Sequence, residues 1–411
     1  MGMIAVKGGI CAAEGFMAAA TAAKIKSKRR DDMAMIFSEK PCVVAGTFTS
    51  NVVKAAPVLW DRELVDSGRP VHAAVINSGI ANACTGQMGL DICREEADAT
   101  AEAFGQVISS DSVLLASTGI IGLQLPIEKM KNAISEMVPK LEASEAAATA
   151  ASKAIMTTDT TNKEFALEFT IGGKKVHLGG MTKGSGMIHP QMCTMICFLT
   201  TDIAITKELL QKALSENVVD TFNMISVDGD TSTNDTCVIL ANGAAENPII
   251  DTEGEDYETF KTALLQVTKT LAREMAADGE GASHLFTVHV TQAKDKQEAR
   301  TLARSVVSST LTKAAIYGRD ANWGRVLCAM GYSGAHFDPN KVNLYFVNEI
   351  GKIEVFHQGA PVDFDEDYAS EILGYQEVTA LIEMHEGTEE ATAWGCDLTH
   401  EYVNINADYR S

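Results

Sequence analysis

Apolar positions along the chain gather in short runs of the kind that build strands buried on one or both faces. They fall at residues 73–77, 112–117, 165–171, 195–205 and 236–242. Between them lie stretches of helical period, at 91–108 and at 127–156, the second interrupted by Pro139. Later come helical patterns at 257–276 and 295–312 and strand patterns at 285–291, 342–347, 352–357 and 378–384. Alternation of the two periods predicts an α/β protein whose C-terminal part is richer in strands. No repeat at a period of 20 to 50 residues and no low-complexity linker divides it.

Two stretches, 73–90 and 184–201, carry no formal charge over 18 positions. That length suits a membrane span, but Gly, Asn, Gln, Thr or Pro interrupts each, so both read as interior segments of a soluble protein. The N-terminus lacks a basic segment followed by an apolar one, which predicts a cytoplasmic protein without a membrane partner. A length of 411 residues accommodates two or three domains or one large α/β unit. Lys and Arg number 34 against 55 Asp and Glu, a net charge of −21 that disfavours nucleic acid. Nine scattered Cys with no Cys-x-x-Cys pair fit reduced thiols. The late residues His357, His385, Cys396 and His400 lack ligand spacing, so no metal is expected. The Ala- and Glu-rich run 142–151 reads as a solvated helix.

Candidate chemistry concentrates where Lys183-Gly-Ser-Gly-Met-Ile-His-Pro-Gln-Met-Cys-Thr194 delivers a hydroxyl to the start of an apolar strand. Taken alone, this could be an ordinary turn. Ser117-Thr-Gly-Ile-Ile-Gly122 offers small residues after a strand, where backbone N–H groups can face a developing oxyanion. Glu280 sits between two glycines at a helix end. The polar run Asp228-Gly-Asp-Thr-Ser-Thr-Asn-Asp235 has the look of a calcium loop, but Ile239 stands where the bidentate Glu belongs.

Together these segments resemble the ornithine acetyltransferases, the glutamate N-acetyltransferase family of arginine biosynthesis, over nearly the whole chain. The likeness includes Gly8-Gly9, Gly15-Phe16, residues 77–86, 117–122, Met156-Thr-Thr-Asp-Thr160, 183–194, 228–236, Asp278-Gly-Glu-Gly-Ala282, 318–325 and 403–411. It implies a layered α/β sandwich over residues 1–280 carrying the active site and a smaller α/β domain over 281–411. It also implies cutting between Cys193 and Thr194 into an alpha chain, 1–193, and a beta chain, 194–411, two of each forming a heterotetramer. Thr194 matches the nucleophile and Thr118 and Gly119 the oxyanion donors. Thr160, Lys183, Thr194, Glu280, Asn406 and Ser411 match the positions that hold the amino-acid substrate, with Thr157 as the alternative to Thr160. Cys193 stands where the family usually has Ala, and Ala13 where a Pro is common.

The implied reaction moves acetyl from N2-acetyl-L-ornithine to L-glutamate through an ester on Thr194, without a cofactor; acetyl-CoA as a second donor is open. No Ser-His-Asp or Cys-His signature is legible, so an N-terminal amine is the economical base for a Thr hydroxyl. An α-amine titrates at about 7.7 to 8.0, far nearer neutrality than an ordinary Lys. That amine exists only after self-cleavage. A self-cleaving aminopeptidase or amidase, and a non-catalytic amino-acid-binding protein that stays uncut, are the competing readings.

Overall fold

The computed structural model describes residues 2–25, 30–189 and 195–408. Two sheets organise them. The first, of nine strands, runs in the order 4–6, 163–171, 174–183, 196–201, 236–241, 33–48, 71–80 and 113–120, with strand 16–21 alongside 33–48. The second has seven strands, six from 285–396 and the short Ile225–Ser226.

Side-chain alternation along the central strands feeds two cores at once, as a period of two requires. Cys197, Leu199, Cys237 and Ile239 point into the larger core, and Ile196, Phe198, Val238 and Leu240 into the opposite one. Covered on both faces, strands Ile196–Thr201 and Thr236–Ala241 are buried at every position, which is why they read as continuous apolar runs. Farther along, Ala73, Val75, Val113 and Leu115 face a third cluster under helices Gly86–Ala103 and Ile127–Met137, while Ala74, Ile76, Leu114 and Ala116 face the second. The larger core continues through helix Glu255–Ala277 into Val288, Val290 and Ala393 of the second sheet. The result is a layered α/β architecture.

The predicted elements are present with shifted ends, and two predicted helices are each divided. The pattern at 127–156 becomes Ile127–Met137 and Glu145–Ala154, separated at Pro139 and restarted by Ser144, whose hydroxyl accepts from Ala147 N–H. The pattern at 295–312 becomes Lys296–Ser308 and Thr310–Tyr317, the second capped by Ser309. Strand Met33–Phe48, unread in the sequence, joins the two halves of the first sheet: residues 33–37 pair with 71–80, and residues 43–48 with 236–241. Glu39, Lys40 and Pro41 break its apolar pattern at the register shift between Phe37 and Cys42, where Pro can give no ladder hydrogen bond.

Candidate active site

The first sheet brings the ends of several strands together at one edge. Lys183 ends strand Lys174–Lys183 and pairs with Ile196, the first residue of the next strand, so the connection between them leaves and returns at one place. Strands Val71–Ile80 and Val113–Ile120 run parallel, with Ser78 beside Thr118 and Gly79 beside Gly119. That approach is close: a Cβ on Gly119 would lie 2.2 Å from the Gly79 carbonyl carbon, and its φ of +131° is one that other residues avoid. The pair of strand ends is tied down by Asn234, whose Nδ2 donates to the carbonyls of Ala81 at 2.6 Å and Ser117 at 2.8 Å.

These ends open a cleft lined by Thr118, Gly119, Thr157, Lys183, Glu280 and Asn406, among others. At its floor the buried Lys183 Nζ donates to Thr157 Oγ1 at 2.8 Å and to Thr118 Oγ1 at 3.4 Å. Burial pulls the Lys183 ammonium below its ordinary pKa, opposed by Asp159, whose Oδ2 lies 4.0 Å away. Opposite, Glu280 Oε2 accepts from Asn406 Nδ2 at 2.8 Å, and Glu280 N–H donates to the Ser185 carbonyl at 2.9 Å. A cation and an anion thus face one small cleft, the arrangement that recognises a zwitterion.

Thr160, matched in the sequence to a substrate position, does not line this cleft. Its backbone N–H and its hydroxyl both donate to the Asp278 carboxylate, outside the cleft. Thr157 occupies the place instead, beside Lys183. The chain turns between the two hydroxyls at Asp159, a residue the sequence reading did not single out. Asp159 Oδ1 accepts from Lys163 Nζ at 2.8 Å and from Gly184 N–H at 2.7 Å, and its Oδ2 accepts from Thr157 N–H at 3.0 Å. Burial would raise its carboxyl, but the ammoniums of Lys183 and Lys163 outweigh that and hold it well below the usual carboxylate range. Lys163 also binds Asp278 at 2.6 Å. The only signal for this hub was the Asp inside the Thr-Thr-Asp-Thr run.

Cys193, Thr194 and Ser411 lie outside the described residues. Met195, which follows Thr194 directly, is buried at the same sheet edge as Lys183. Among the described residues, no group of three or more His, Cys, Asp or Glu is placed to hold a metal ion, and no helix is long and apolar enough to cross a membrane.

The ArgJ family model matches residues 17–411. The arginine biosynthesis bifunctional protein ArgJ of Thermotoga neapolitana is 48% identical over 398 residues, spanning 97% of this chain and 99% of its own. Its counterpart in Listeria monocytogenes is 44% identical over 407 residues, 99% of each chain. Among solved structures, the ArgJ protein of Bacillus halodurans is 44% identical with a TM-score of 0.49, covering 51% of this chain and 97% of its own. Ornithine acetyltransferase of Mycobacterium tuberculosis, complexed with ornithine, is 35% identical with a TM-score of 0.43, covering 47% of this chain and 100% of its own.

Proposed function

Since this chain belongs to the ArgJ family, we propose that it is an acetyltransferase of arginine biosynthesis that moves acetyl from N2-acetyl-L-ornithine to L-glutamate through an ester on Thr194. The observation that carries this reading is the cleft where Lys183, Thr157 and Thr118 face Glu280 and Asn406 at the strand edge that Met195 enters. The substrate carboxylate meets Lys183, and the free amine of acetylornithine meets Glu280. Thr118 and Gly119 face the acetyl oxygen as negative charge develops on it.

Self-cleavage comes first. Thr194 Oγ attacks the Cys193 carbonyl carbon, the C–N bond breaks, and the hydroxyl proton goes to the departing nitrogen. Water then hydrolyses the ester, leaving a Cys193 carboxylate and a Thr194 with free hydroxyl and α-amine. In turnover, that hydroxyl attacks the acetyl carbon of acetylornithine. Its proton passes through the α-amine to the ornithine nitrogen as the amide breaks. Ornithine leaves, glutamate binds in overlapping space, and its amine takes the acetyl group while a proton returns to Oγ. The word bifunctional in the relatives' names supports acetyl-CoA as a second donor for glutamate. No resident cofactor takes part, and alpha and beta chains pair as a heterotetramer in the cytoplasm.

Mass spectrometry tests this directly. By length share of 43.9 kDa, the separated chains are expected at about 21 and 23 kDa. Quenching with acetylornithine alone should add about 42 Da to the larger, the mass of an acetyl replacing a hydrogen. Double-reciprocal plots should be parallel. Intersecting lines with an unmodified chain would overturn the ester and favour direct transfer in a ternary complex.

A further inference from the structure

The polar run 228–235 holds something, although it lacks the acidic twelfth position of a calcium loop. Asp228 spends both carboxylate oxygens on backbone N–H groups: Oδ2 accepts from Met187 at 2.6 Å and Oδ1 from Ile188 at 2.9 Å. Beside it, Val227 N–H donates to the Ile188 carbonyl at 2.7 Å, and Thr231 Oγ1 to the His189 carbonyl at 3.2 Å. At the far end of the run, the buried Asp235 accepts from Met195 N–H through Oδ1 at 3.2 Å, and Thr236 N–H donates to the Met195 carbonyl at 3.0 Å. Residues 227–236 therefore grip residues 187–189 on one side and Met195 on the other. Between those two grips lie only residues 190–194, which include the Cys193–Thr194 peptide.

We infer that Asp228 and Asp235 are positioning residues for self-cleavage, a two-ended clamp that fixes both ends of the segment carrying the scissile bond. The inference rests on the self-cleavage reading above. Its physical basis is that an intramolecular attack gains rate when the attacking group and its carbonyl are held near each other before reaction. Anchoring Met187, Ile188 and Met195 removes conformational freedom that the attack would otherwise have to overcome. A carboxylate at 228 suits the task because its two hydrogen bonds to N–H are charge-assisted. The clamp is in turn braced: Tyr402 OH donates to Asp228 Oδ2 at 3.3 Å, and Thr49 N–H donates to the Asp235 carbonyl at 3.0 Å.

An Asn at 228 would present one acceptor and one NH2 group to two N–H donors, losing one bond and setting donor against donor. Full-length chain made in a short cell-free pulse and chased on denaturing gels gives the cleavage rate. Asp228→Asn is expected to slow cleavage by about tenfold or more, the loss of a charge-assisted hydrogen bond. Asp235→Leu should slow it comparably and the near-isosteric Thr231→Val less. Asp230→Asn, in the same run but with an exposed side chain, should cleave at the wild-type rate. Thr194→Ala gives the uncut reference, and the thermal midpoints of the Asp228→Asn and Thr231→Val precursors should lie close to that of the Thr194→Ala precursor. Wild-type rates in both Asp228→Asn and Thr231→Val would overturn the clamp, as would equal slowing by Asp230→Asn, which would make the run's charge the cause. A slowing of Asp228→Asn and Thr231→Val that only tracks a fall in thermal midpoint would also overturn it. A wild-type chain that stays whole while active overturns the cleavage reading itself, a result visibly different from a wild type that is cut alongside variants cut as fast.

Discussion

A single methyl group would be felt at Gly186. A Cβ there would lie 2.3 Å from the Glu280 carboxylate, so Gly186→Ala must push that carboxylate out of its place beside Asn406. If Glu280 holds the substrate amine, initial-rate kinetics should show KM for acetylornithine raised by about tenfold or more, with kcat less affected, the signature of lost ground-state binding. Thr118 predicts the opposite split. Thr118→Ala should cost on the order of 2 to 4 kcal/mol in the transition state, mainly through kcat, with circular dichroism unchanged; a normal kcat would make Thr118 a turn residue only. The sequence motifs pointed to Thr118, Gly119, Lys183, Glu280 and Asn406, and folding brings these five into one cleft from two strands, a turn and a helix up to 288 positions apart, counting from 118 to 406. They put Thr160 ahead of Thr157. Both are hydroxyls in one four-residue run, and the choice depends on which way the chain turns around Asp159, a buried ion-pair centre visible only in three dimensions.

Among the elements, helix Gly86–Ala103 carries an unusual inward residue. Glu96 is buried against helix Ala56–Ser67, near the equally buried Asp61, and one oxygen of each has no hydrogen-bond partner among the described residues. Burial pushes the Glu96 carboxyl up to about 8, against an ordinary value of 4.5. The folded state then binds a proton that the unfolded chain releases, so this stability is complete below pH 4.5 and is lost as pH rises through about 8. Between pH 5 and 7 the slope from this one group approaches about 1.4 kcal/mol per pH unit. Glu96→Gln should flatten that decline in chemical-denaturation curves, and an unchanged slope would reject the buried proton. In the sequence, Glu96 looks like any acidic residue on an amphipathic helix, because periodicity marks a face but does not show how deep that face is buried. The two predicted helices that prove divided show the same limit: a cap such as Ser144 or Ser309 works through a hydrogen bond that the apolar pattern runs straight past.

For the whole molecule, the continuous larger core ties the two sheets together, and one buried cation holds the edge of the second. Lys313 Nζ, itself buried, donates to the carbonyl of Ser226 at 3.2 Å and to that of Cys396, on neighbouring strands of the second sheet. Ser226 in turn leads straight into the Asp228 run on the cleft side. A core shared in this way predicts one cooperative unfolding transition. Lys313→Met should shift that transition by about 2 kcal/mol, the loss of hydrogen bonds from a charged donor, and calorimetry resolving two separate transitions would refute the shared core. The sequence by itself determined the α/β class, the central strands and the motifs that chemistry needs, because burial on both faces and small-residue turns leave local marks that survive without any knowledge of neighbours. Tertiary structure alone decided that strand Met33–Phe48 bends through Pro41 to join two half-sheets, that Thr157 and not Thr160 meets Lys183, and that Asp159, Asp228 and Asp235 point inward. Each of those outcomes depends on partners distant in the chain, and the energy that selects them, desolvation balanced by hydrogen bonds and opposite charge, exists only once the partners have met.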